Sequence, residues 1–485
     1  MIHSTEFRKF AHELVDWIAD YIEAAEDYPV KSQVKPREIF WQLPNRPPLQ
    51  PEPFQEIFDD FQKIIMPGVT HWQSPNFYAY FPANSSYPSI LAEMLIAALG
   101  AQCMVWETSP AAAELEEKVM DWLKEMTGIP SEFHGVIQDT ASTATLVALL
   151  TAREKHTGFQ INDSGFQENN YRIYCSSETH SSIEKGAKIA GFGRNSVVKV
   201  DVDSEFRMDV QKLEKAILAD KKSGLAPVCI VATLGTTGST AIDPLQPISE
   251  IAAKYRLWLH VDAAYAGTAL ILDEFKWMIE GINNVDSFVI NPHKWMMTNF
   301  DCSAYFVKDR EALIKTFSIN PEYLKTKTSG MVNDYRDWGI QLGRRFRALK
   351  LWFVIRSFGV EGLRERLRSH IEIAKLLASS IDHHPDYEIV APGTMNLVCF
   401  RYKPIGITNE QILNKLNERL LHTLNDSGKL YLSHTKLNGK FTLRMVVGQT
   451  RANKDFVMEA WRHIGHTAEN VLHQYVTKNT VNPSE

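Results

Sequence analysis

The first part of the chain carries two apolar stripes with helical spacing, separated by a proline-rich stretch. The first stripe recurs every three or four residues, as on one face of an amphipathic helix, at Phe7, Phe10, Ala11, Leu14, Val15, Ile18, Tyr21 and Ile22. The second stripe comprises Phe54, Ile57, Phe58, Phe61, Ile64 and Ile65. Prolines between residues 29 and 53 predict an extended connection over the surface. Neither helix can bury its apolar face alone, so we expect residues 1–85 to form a helical arm rather than a domain.

The pattern changes after this arm. From about residue 86 to 360, short apolar runs alternate with helical patterns, which predicts a mostly parallel sheet. The candidate strands are 135–138, 172–175, 228–232, 258–261 and 287–290. Beyond residue 360 we expect helices near 361–384 and 408–424, and strands near 387–390, 396–402 and 440–447. The sequence therefore predicts an α/β protein with a large domain in residues 86–360 and a small α+β domain in residues 361–485.

Composition and charge are those of an ordinary globular protein. The 485 residues are 44% hydrophobic, enough for a substantial core. Lysine and arginine number 52 against 58 aspartates and glutamates, so a net charge of -6 gives no electrostatic basis for binding nucleic acid or an anionic membrane. The five cysteines lack paired CxxC spacing, which argues against a disulfide framework or a zinc site. The start lacks an apolar signal core and no apolar run reaches spanning length, so we expect a cytoplasmic protein.

Two charged residues follow apolar runs where an open α/β sheet binds its ligands. Asp262 ends the run that starts at Trp258, and Lys294 follows the run 287–290. Both side chains should therefore lie at the carboxyl ends of neighbouring buried strands. A lysine can hold pyridoxal 5'-phosphate (PLP) as a Schiff base, and a carboxylate beside the pyridine nitrogen keeps that nitrogen protonated. An isolated Asp and Lys are more often structural, so this hypothesis depends on the surrounding motifs.

Those motifs match a known family. Residues 260–267 read HVDAAYAG and residues 291–295 read NPHKW. Further motifs follow in the family's order: PGVTHWQSP at 67–75, AYFP at 79–82, TLGTTG at 233–238 and LGRRFR at 342–347. Together they resemble the group II PLP-dependent amino-acid decarboxylases, and most closely the aromatic-L-amino-acid decarboxylase branch. The resemblance covers the chain to about residue 360. It implies the aspartate aminotransferase-like fold (fold type I), PLP as the cofactor and carboxy-lyase activity.

The resemblance assigns roles in the cofactor site. Lys294 would bind PLP, Asp262 would face the pyridine nitrogen, and His180 would stack on the ring. The other cofactor contacts that it implies are Ala141, Ser142, Thr237, Ala264, Asn291, His293 and Gly343. For Asn291 and His293, ordinary loop hydrogen bonding is the alternative.

The expected phosphate site departs from the family pattern. A turn at residues 139–144 joins the run 135–138 to a helix-forming run at 146–154, and backbone N–H groups at such a helix start can hold a phosphate. Ala141 and Ser142, in this turn, match the phosphate-binding pair of the resembled family. Asp139 stands where many relatives have Gly, and Thr143 where many have Glu. A carboxylate pointing at the phosphate would repel it, so we expect Asp139 to face away as a helix cap.

The substrate side is expected to be aromatic. The wall that the resemblance implies consists of Trp72, Tyr80, Phe81 and Pro82. Such rings bury a substrate ring by stacking. Gln102 and Met104 replace an Ile and a Phe of the animal enzymes, and Ala83 replaces a Thr, which predicts a more polar and adaptable pocket. Gly343 occupies a position where indole-tolerant relatives carry Gly, so substrates with bicyclic rings are favoured. The polar Gln102 leaves substrates with hydroxylated or imidazole rings as alternatives.

Tyr323 is the candidate proton donor. It precedes a stretch rich in Lys, Thr, Ser and Gly that runs to Gly330 and suggests a mobile lid. Loss of CO₂ leaves a carbanion at the substrate Cα, which some group must protonate. In the resembled family a tyrosine here favours decarboxylation, whereas phenylalanine favours oxidative aldehyde formation. Tyr323 completes the expected catalytic set of Lys294, Asp262 and His180; a lid tyrosine that only packs is the alternative.

The sequence thus predicts decarboxylation of tyrosine, DOPA, 5-hydroxytryptophan, tryptophan or phenylalanine to the amine and CO₂. Histidine decarboxylation is the nearest alternative because few pocket residues separate the two activities, and aldehyde synthesis is disfavoured by Tyr323. Glutamate decarboxylation would need a cationic clamp that the expected wall lacks. The presence of Lys294, Asp262 and His180 argues against a catalytically silent scaffold, which could have lost any of them. A nucleotide-binding dehydrogenase is disfavoured because the sequence GFG at 191–193 lacks the third glycine of the dinucleotide-binding motif. Since the family's arm packs on a second subunit, we expect a homodimer with its active site at the subunit interface.

Overall fold

The periodicities of the sequence become helices and strands over residues 3–168, 170–319 and 331–481 of a computed structural model, in which side chains are described up to residue 477. The helices are α1 (Ser4–Glu23), α2 (Glu38–Gln42), α3 (Phe54–Asp60), α4 (Tyr87–Leu99), α5 (Pro110–Thr127), α6 (Ala141–His156), α7 (Gln160–Ser164), α8 (Ser182–Ile189), α9 (Val210–Lys222), α10 (Leu245–Tyr255), α11 (Pro292–Trp295), α12 (Arg310–Phe317), α13 (Arg347–Asp382), α14 (Glu410–Asp426) and α15 (Lys454–Val481). The strands are β1 (His134–Gln138), β2 (Tyr171–Ser176), β3 (Val197–Val200), β4 (Ala226–Thr233), β5 (Trp258–Asp262), β6 (Ser287–Ile290), β7 (Ser303–Val307), β8 (Tyr387–Ile389), β9 (Leu397–Tyr402), β10 (Ser433–Leu437) and β11 (Lys440–Val446).

The chain divides into two units. Unit 1 comprises Met1–Pro82, His370–Val390 and Asn396–Glu485, and unit 2 comprises Ala83–Ser369 and Ala391–Met395. The expected division into residues 1–85, 86–360 and 361–485 stays a prediction.

Unit 2 contains a seven-stranded sheet in the order β1-β7-β6-β5-β4-β2-β3. Strands β3, β2, β4, β5 and β6 run parallel, and β7 is antiparallel to both of its neighbours. The expected α/β class with a mostly parallel sheet is therefore confirmed, and each of the five candidate strands is present. Strand β7 places an antiparallel segment between β1 and β6.

Helix α6 covers one face of this sheet. Its Ala148 and Ala152 belong to a buried cluster with Val231 of β4, Val289 of β6 and Tyr305 of β7. Small residues on the helix let its backbone approach the β-branched and aromatic side chains of the strands closely. Because this face and the other are both buried, β4, β5 and β6 read as continuous apolar runs. The carboxyl ends of β4, β5 and β6 lie at one edge of the sheet, where such folds bind ligands.

Unit 1 contains a four-stranded antiparallel sheet in the order β10-β11-β9-β8. Its core joins Phe400 and Leu443 of the sheet to Leu420 of α14 and Ile464 of α15. The two apolar stripes of the arm are helical as expected, although the second continues from α3 into a π-helical turn at Phe61–Ile65. Rings join the arm helices, with Phe10 4.4 Å from Phe54 between centroids.

Within the described ranges, no helix combines the length and the apolar composition that a membrane crossing requires. The same residues contain no cluster of His, Cys, Asp and Glu side chains that could hold a metal ion.

Candidate active site

Asp262 and Lys294 lie where their apolar runs end, as the sequence predicts. Asp262 is the last residue of β5, and Lys294 follows β6 within the short helix α11. The two strands are parallel neighbours, with Asp262 paired to Val289. Asp262 is buried and Lys294 is only partly exposed. A carboxylate and an amine from adjacent strands thus share one edge of the sheet.

Burial alters the charge state of this lysine. Desolvation lowers the pKa of Lys294, while the nearby Asp262 carboxylate opposes the shift. A lysine with a lowered pKa holds more of its amine in the neutral, nucleophilic form at neutral pH. His180 is close enough to interact with both charges. Partial desolvation lowers the pKa of His180, Asp262 raises it and Lys294 lowers it.

The backbone orients Asp262. Its Oδ1 accepts the N–H of Ala264 at 3.1 Å, and the Ala264 carbonyl accepts the N–H of Asn291 at 3.0 Å. This second bond connects the loop after β5 to the loop after β6. Gly235, after β4, approaches the same loop closely, because a Cβ at that position would lie 2.7 Å from the Cβ of Ala266. Its positive φ of 87° also favours glycine.

Backbone geometry also sets the tautomer of His180. The residue follows β2, and its Nδ1 accepts the N–H of Ser182 at 3.2 Å. An Nδ1 that accepts a backbone N–H carries no proton in the neutral ring, so the proton lies on Nε2. The Ser182 hydroxyl lies 2.8 Å from the same nitrogen. No role for Ser182 was predicted from the sequence, although its position two residues after His180 is typical of such local bonds.

The start of α6 presents backbone donors at the end of β1. Thr140 is the N-cap residue, and its side chain accepts the N–H of Thr143. The N–H groups of Ala141 and Ser142 donate to no other described residue. The expectation for Asp139 needs a correction, because the cap is Thr140. Asp139 instead accepts the Thr140 N–H at 2.6 Å.

Polar contacts hold the segment that carries Lys294. The Lys294 carbonyl accepts Nδ2 of Asn84 at 2.9 Å, and the Met297 carbonyl accepts the hydroxyl of Ser86 at 2.7 Å. These bonds connect the residues before α4 with the turn after the lysine. Sequence reasoning missed both, because their partners are more than 200 residues away in the chain. The only signal is a cluster of polar residues ahead of the apolar helix α4.

Asn291 and His293 bond within the same region. Asn291 Oδ1 accepts the hydroxyl of Ser303, the first residue of β7, at 2.6 Å. The Nδ1 of His293 accepts the N–H of Cys302 at 2.9 Å, so the neutral ring carries its proton on Nε2. Desolvation, reinforced by Lys294, lowers the pKa of His293 to about 3. The ring is therefore a neutral Nε2–H donor near pH 7.

The remaining expected residues of unit 2 lie in exposed or half-buried positions. Thr237 is exposed in the loop after β4. Gln102 Oε1 accepts the N–H of Arg344 at 2.8 Å, and a Cβ on Gly343 would lie 3.5 Å from Gln102 Nε2. The Met104 carbonyl accepts the Arg336 N–H at 2.8 Å. Gln102 and Gly343 are therefore neighbours, as a shared role would require.

The aromatic residues of unit 1 form a cluster. Trp72 stacks on Phe77 at 4.3 Å and on Tyr80 at 5.9 Å between centroids. Tyr431, which the sequence did not single out, meets the edges of the Phe77 and Tyr80 rings. Tyr80 adopts a positive φ of 54°, an uncommon conformation for an aromatic residue.

Phe81 and Pro82 follow this cluster along the chain. The guanidinium of Arg444 lies 5.4 Å from the centroid of the Phe81 ring, and Pro82 is buried. Tyr323, the expected proton donor, lies outside the described residues.

The residues present fit PLP. A buried carboxylate ends β5, and a lysine with a lowered pKa follows the adjacent strand β6, which suits the partner of a pyridinium and a Schiff-base lysine. The two N–H groups of Ala141 and Ser142 without a described partner suit a phosphate at a helix N-terminus.

Comparison with known proteins agrees with this chemistry. Tyrosine decarboxylase 4 of Petroselinum crispum is 43% identical over 488 residues, which cover 98% of this chain and 95% of that protein. Phenylacetaldehyde synthase of Arabidopsis thaliana is 43% identical, with 97% of each chain covered. The crystal structure of Catharanthus roseus tryptophan decarboxylase in complex with L-tryptophan superposes with a TM-score of 0.91 at 39% identity, covering 97% of this chain and 99% of that chain. Residues 36–403 match the pyridoxal-dependent decarboxylase conserved domain. The chain therefore belongs to the pyridoxal-dependent decarboxylase family, and its cofactor is PLP.

Proposed function

We propose that this protein is a carboxy-lyase that converts an aromatic L-amino acid to its amine and CO₂. The observation that carries the proposal is the pair of Lys294 and Asp262 on adjacent strand ends, in a chain that matches tyrosine and tryptophan decarboxylases over nearly its whole length. The candidate substrates are tyrosine, DOPA, 5-hydroxytryptophan, tryptophan and phenylalanine.

The residues divide the chemistry between them. When bound, PLP accepts the electron pair that the Cα–carboxylate bond releases as CO₂ leaves. Lys294 would hold the cofactor, and its lowered pKa keeps more of its amine in the neutral form that this bond requires. Asp262 stabilises positive charge on the pyridine nitrogen, because it is a buried anion oriented by the Ala264 N–H. His180 packs on the ring and offers an Nε2–H donor. Tyr323 donates the proton that replaces CO₂ at Cα.

A second group of residues holds the cofactor's phosphate and edges. The N–H groups of Ala141 and Ser142 bind phosphate oxygens, and the Ser142 hydroxyl adds a donor. His293 contributes its Nε2–H, and Asn291 its amide N–H groups, since its Oδ1 already accepts from Ser303. Thr237, Ala264 and Gly343 complete this set.

The substrate ring is bound by aromatic side chains. Trp72, Tyr80, Phe81 and Pro82 are the proposed aromatic contacts of the substrate ring, and Gln102 and Met104 are further proposed substrate contacts. Trp72 and Tyr80 keep much of their ring surface exposed, so a substrate ring can still bury apolar area against them. The Oε1 of Gln102 is occupied by the Arg344 N–H, which leaves its Nε2–H groups to donate to a ring hydroxyl or an imidazole nitrogen.

A substrate panel tests the proposal. The PLP-loaded protein is incubated separately with L-tyrosine, L-DOPA, 5-hydroxytryptophan, tryptophan, phenylalanine, histidine and glutamate, and products are identified by mass spectrometry. Aromatic amines with release of CO₂ are expected from the wild type, and Lys294→Ala, which lacks the proposed cofactor-binding lysine, should form none of them. Histamine alone, or no product from any aromatic substrate, would contradict the proposal.

Aldehyde synthesis is the second candidate, because phenylacetaldehyde synthase is 43% identical to this chain. Tyr323 distinguishes the two outcomes. As a proton donor to Cα it favours the amine, so Tyr323→Phe should shift the product from amine toward aldehyde and ammonia, with O₂ consumed. The measurement is the amine-to-aldehyde ratio together with O₂ uptake. An unchanged ratio would remove Tyr323 as the donor.

A homodimer in the cytoplasm, with the active site at the subunit interface, is part of the same proposal. Helix α4 supports the dimer, because Tyr87, Leu91, Met94, Leu95 and Leu99 are exposed apolar residues on a single helix. A surface of this kind is typical of an interface between subunits. Light scattering of the purified protein would determine its mass, and a monomer would contradict this part.

A further inference from the structure

At the start of helix α6, the acceptor for the N–H of the N-cap residue comes from Asp139, the residue before the cap. In a capping box, the N-cap side chain accepts the N–H of the third helical residue, and a Glu or Gln at that third position accepts the N–H of the N-cap residue. Here the N-cap is Thr140 and the third position is Thr143. The Thr143 N–H donates to Thr140 Oγ1 at 3.4 Å, so the first half is present. The Thr143 hydroxyl contacts Thr140 Oγ1, also at 3.4 Å, and does not take the Thr140 N–H.

Asp139 supplies the missing half. Its Oδ1 accepts the Thr140 N–H at 2.6 Å, and it also accepts the Thr140 hydroxyl at 3.3 Å. The second bond directs the hydroxyl proton toward Asp139, so the lone pairs of Oγ1 remain for the Thr143 N–H. One carboxylate therefore satisfies one backbone donor and orients the acceptor for another.

This arrangement selects which donors of the first turn stay available. The N–H groups of Thr140 and Thr143 are used by the cap, while those of Ala141 and Ser142 donate to no described residue. A negative charge at a helix N-terminus is stabilised by the helix dipole, although it also repels a bound anion. The guanidinium of Arg347, held by Asp301 at 2.9 and 3.1 Å, interacts electrostatically with Asp139 and offsets this repulsion.

We propose that Asp139 is a positioning residue of the cofactor site. Asp139 accepts the Thr140 N–H, which a Glu at position 143 would accept in an ordinary capping box. This bond keeps the N–H groups of Ala141 and Ser142 in place for the PLP phosphate before the cofactor binds. The inference rests on the proposed function only in that PLP binds at this helix. It predicts that the hydrogen bond of Asp139 matters more for PLP affinity than its charge.

The test is a double-mutant cycle read by PLP binding to the apoenzyme. Asp139→Gly removes both the acceptor and the charge, Asp139→Asn keeps an acceptor without the charge, and Asp139→Gly with Thr143→Glu rebuilds an ordinary capping box. The dissociation constant of PLP is measured by quenching of tryptophan fluorescence, with the thermal midpoint of each apoenzyme recorded in parallel. Thr143→Glu alone completes the cycle.

The expected results follow from the size of cap effects. Loss of an N-cap bond should weaken PLP binding by about threefold to thirtyfold in Asp139→Gly. Asp139→Asn should stay within about twofold of the wild type, since the acceptor remains. The double variant should recover most of the loss.

Three outcomes would overturn the inference. Equal or tighter PLP binding by Asp139→Gly would mean that repulsion by the charge dominates. If Asp139→Gly loses PLP affinity and the added Thr143→Glu does not restore it, an acid at position 143 cannot replace Asp139. A lower thermal midpoint with unchanged PLP affinity would leave Asp139 with a structural role alone. None of these measurements uses a substrate, so a failure of the proposed decarboxylation would be seen separately in the product panel.

Discussion

The side chains of Asp262 and His293 in unit 2 differ from the aromatic cluster of unit 1 in their burial and in their hydrogen bonds. Asp262 and His293 are 5% and 4% exposed, and backbone N–H groups bond both side chains. Trp72 and Tyr80 are 36% and 50% exposed, and the Tyr80 hydroxyl lies 3.4 Å from that of Tyr431. The first two side chains are desolvated and bonded to the backbone, while the aromatic cluster keeps apolar surface in contact with water.

The difference reflects two physical tasks. Stabilising charge in a transition state needs fixed dipoles and charges in a dry environment, because these need no reorganisation during the reaction. Binding a substrate ring needs apolar surface that becomes buried only when the ring arrives. We therefore expect changes in the buried region to lower kcat, and changes in the aromatic cluster to raise KM.

The largest effect is expected at Lys294. Lys294→Ala removes the group that we propose binds the cofactor, so activity should fall by about a thousandfold or more and the visible absorbance of lysine-bound PLP should disappear. Absorbance spectra before and after borohydride reduction provide the measurement. Lys254→Ala, at an exposed lysine paired with Glu214, is the matched control and should retain both properties. A visible band in the Lys294 variant that borohydride still fixes would place the attachment elsewhere.

Asp262→Asn should have the next largest effect. The amide preserves the shape of the side chain but not the anion that we propose stabilises a protonated pyridine nitrogen, so kcat should fall by about a hundredfold to a thousandfold with little change in KM. Steady-state kinetics on the best aromatic substrate would show the difference. Asp201→Asn, at an exposed aspartate, should behave like the wild type. A rise in KM at unchanged kcat would instead assign Asp262 to substrate binding.

His260 links the buried region to pH. The residue is fully buried in β5, and desolvation lowers its pKa to about 4, while Asp262 opposes the shift. A depressed histidine pKa contributes stability that is complete above the unfolded pKa of about 6.5 and is lost as pH falls from there toward 4. Across this window the wild type should lose up to about 1.4 kcal/mol per pH unit more than His260→Gln.

Urea unfolding of the wild type and His260→Gln between pH 4.5 and 7.5, at one protein concentration, measures the pH-dependent contribution of His260 to the free energy of unfolding. Taking the difference between the proteins cancels groups with the opposite trend, such as Asp243, whose pKa burial raises to about 7. Parallel stability curves for the two proteins would show that His260 does not titrate in this way.

The aromatic cluster should respond in affinity. Trp72→Ala removes a stacking surface, so KM for aromatic substrates should rise by about tenfold while kcat stays near the wild-type value. Tyr431→Phe is the gentlest change, since it removes only an exposed hydroxyl contact, and should alter KM by no more than about twofold. Steady-state kinetics on two ring types test both variants. A fall in kcat for Trp72→Ala at unchanged KM would contradict the expectation that the aromatic cluster acts on KM and the buried region on kcat.

Much of the fold was readable because its signals are local. The stripe from Phe7 to Ile22 became α1, and the apolar run from Trp258 became β5 with Asp262 at its end. The spacing of apolar residues along a helix or a strand repeats within a few residues, so a short stretch of sequence shows which face is buried. The position of Lys294 after β6 followed from the same rule.

The sequence by itself determined the element types, the strand ends that carry Asp262 and Lys294, and the family through its motifs. Only the tertiary structure decided which atoms meet there. Asn84 bonds the Lys294 carbonyl, Ser303 bonds Asn291, and a backbone N–H sets the tautomer of His293. The first contact joins residues 210 positions apart in the chain, whereas the other two join the loop after β6 to the start of β7. Each hydrogen bond requires placement to within a few tenths of an ångström, which no local sequence pattern encodes.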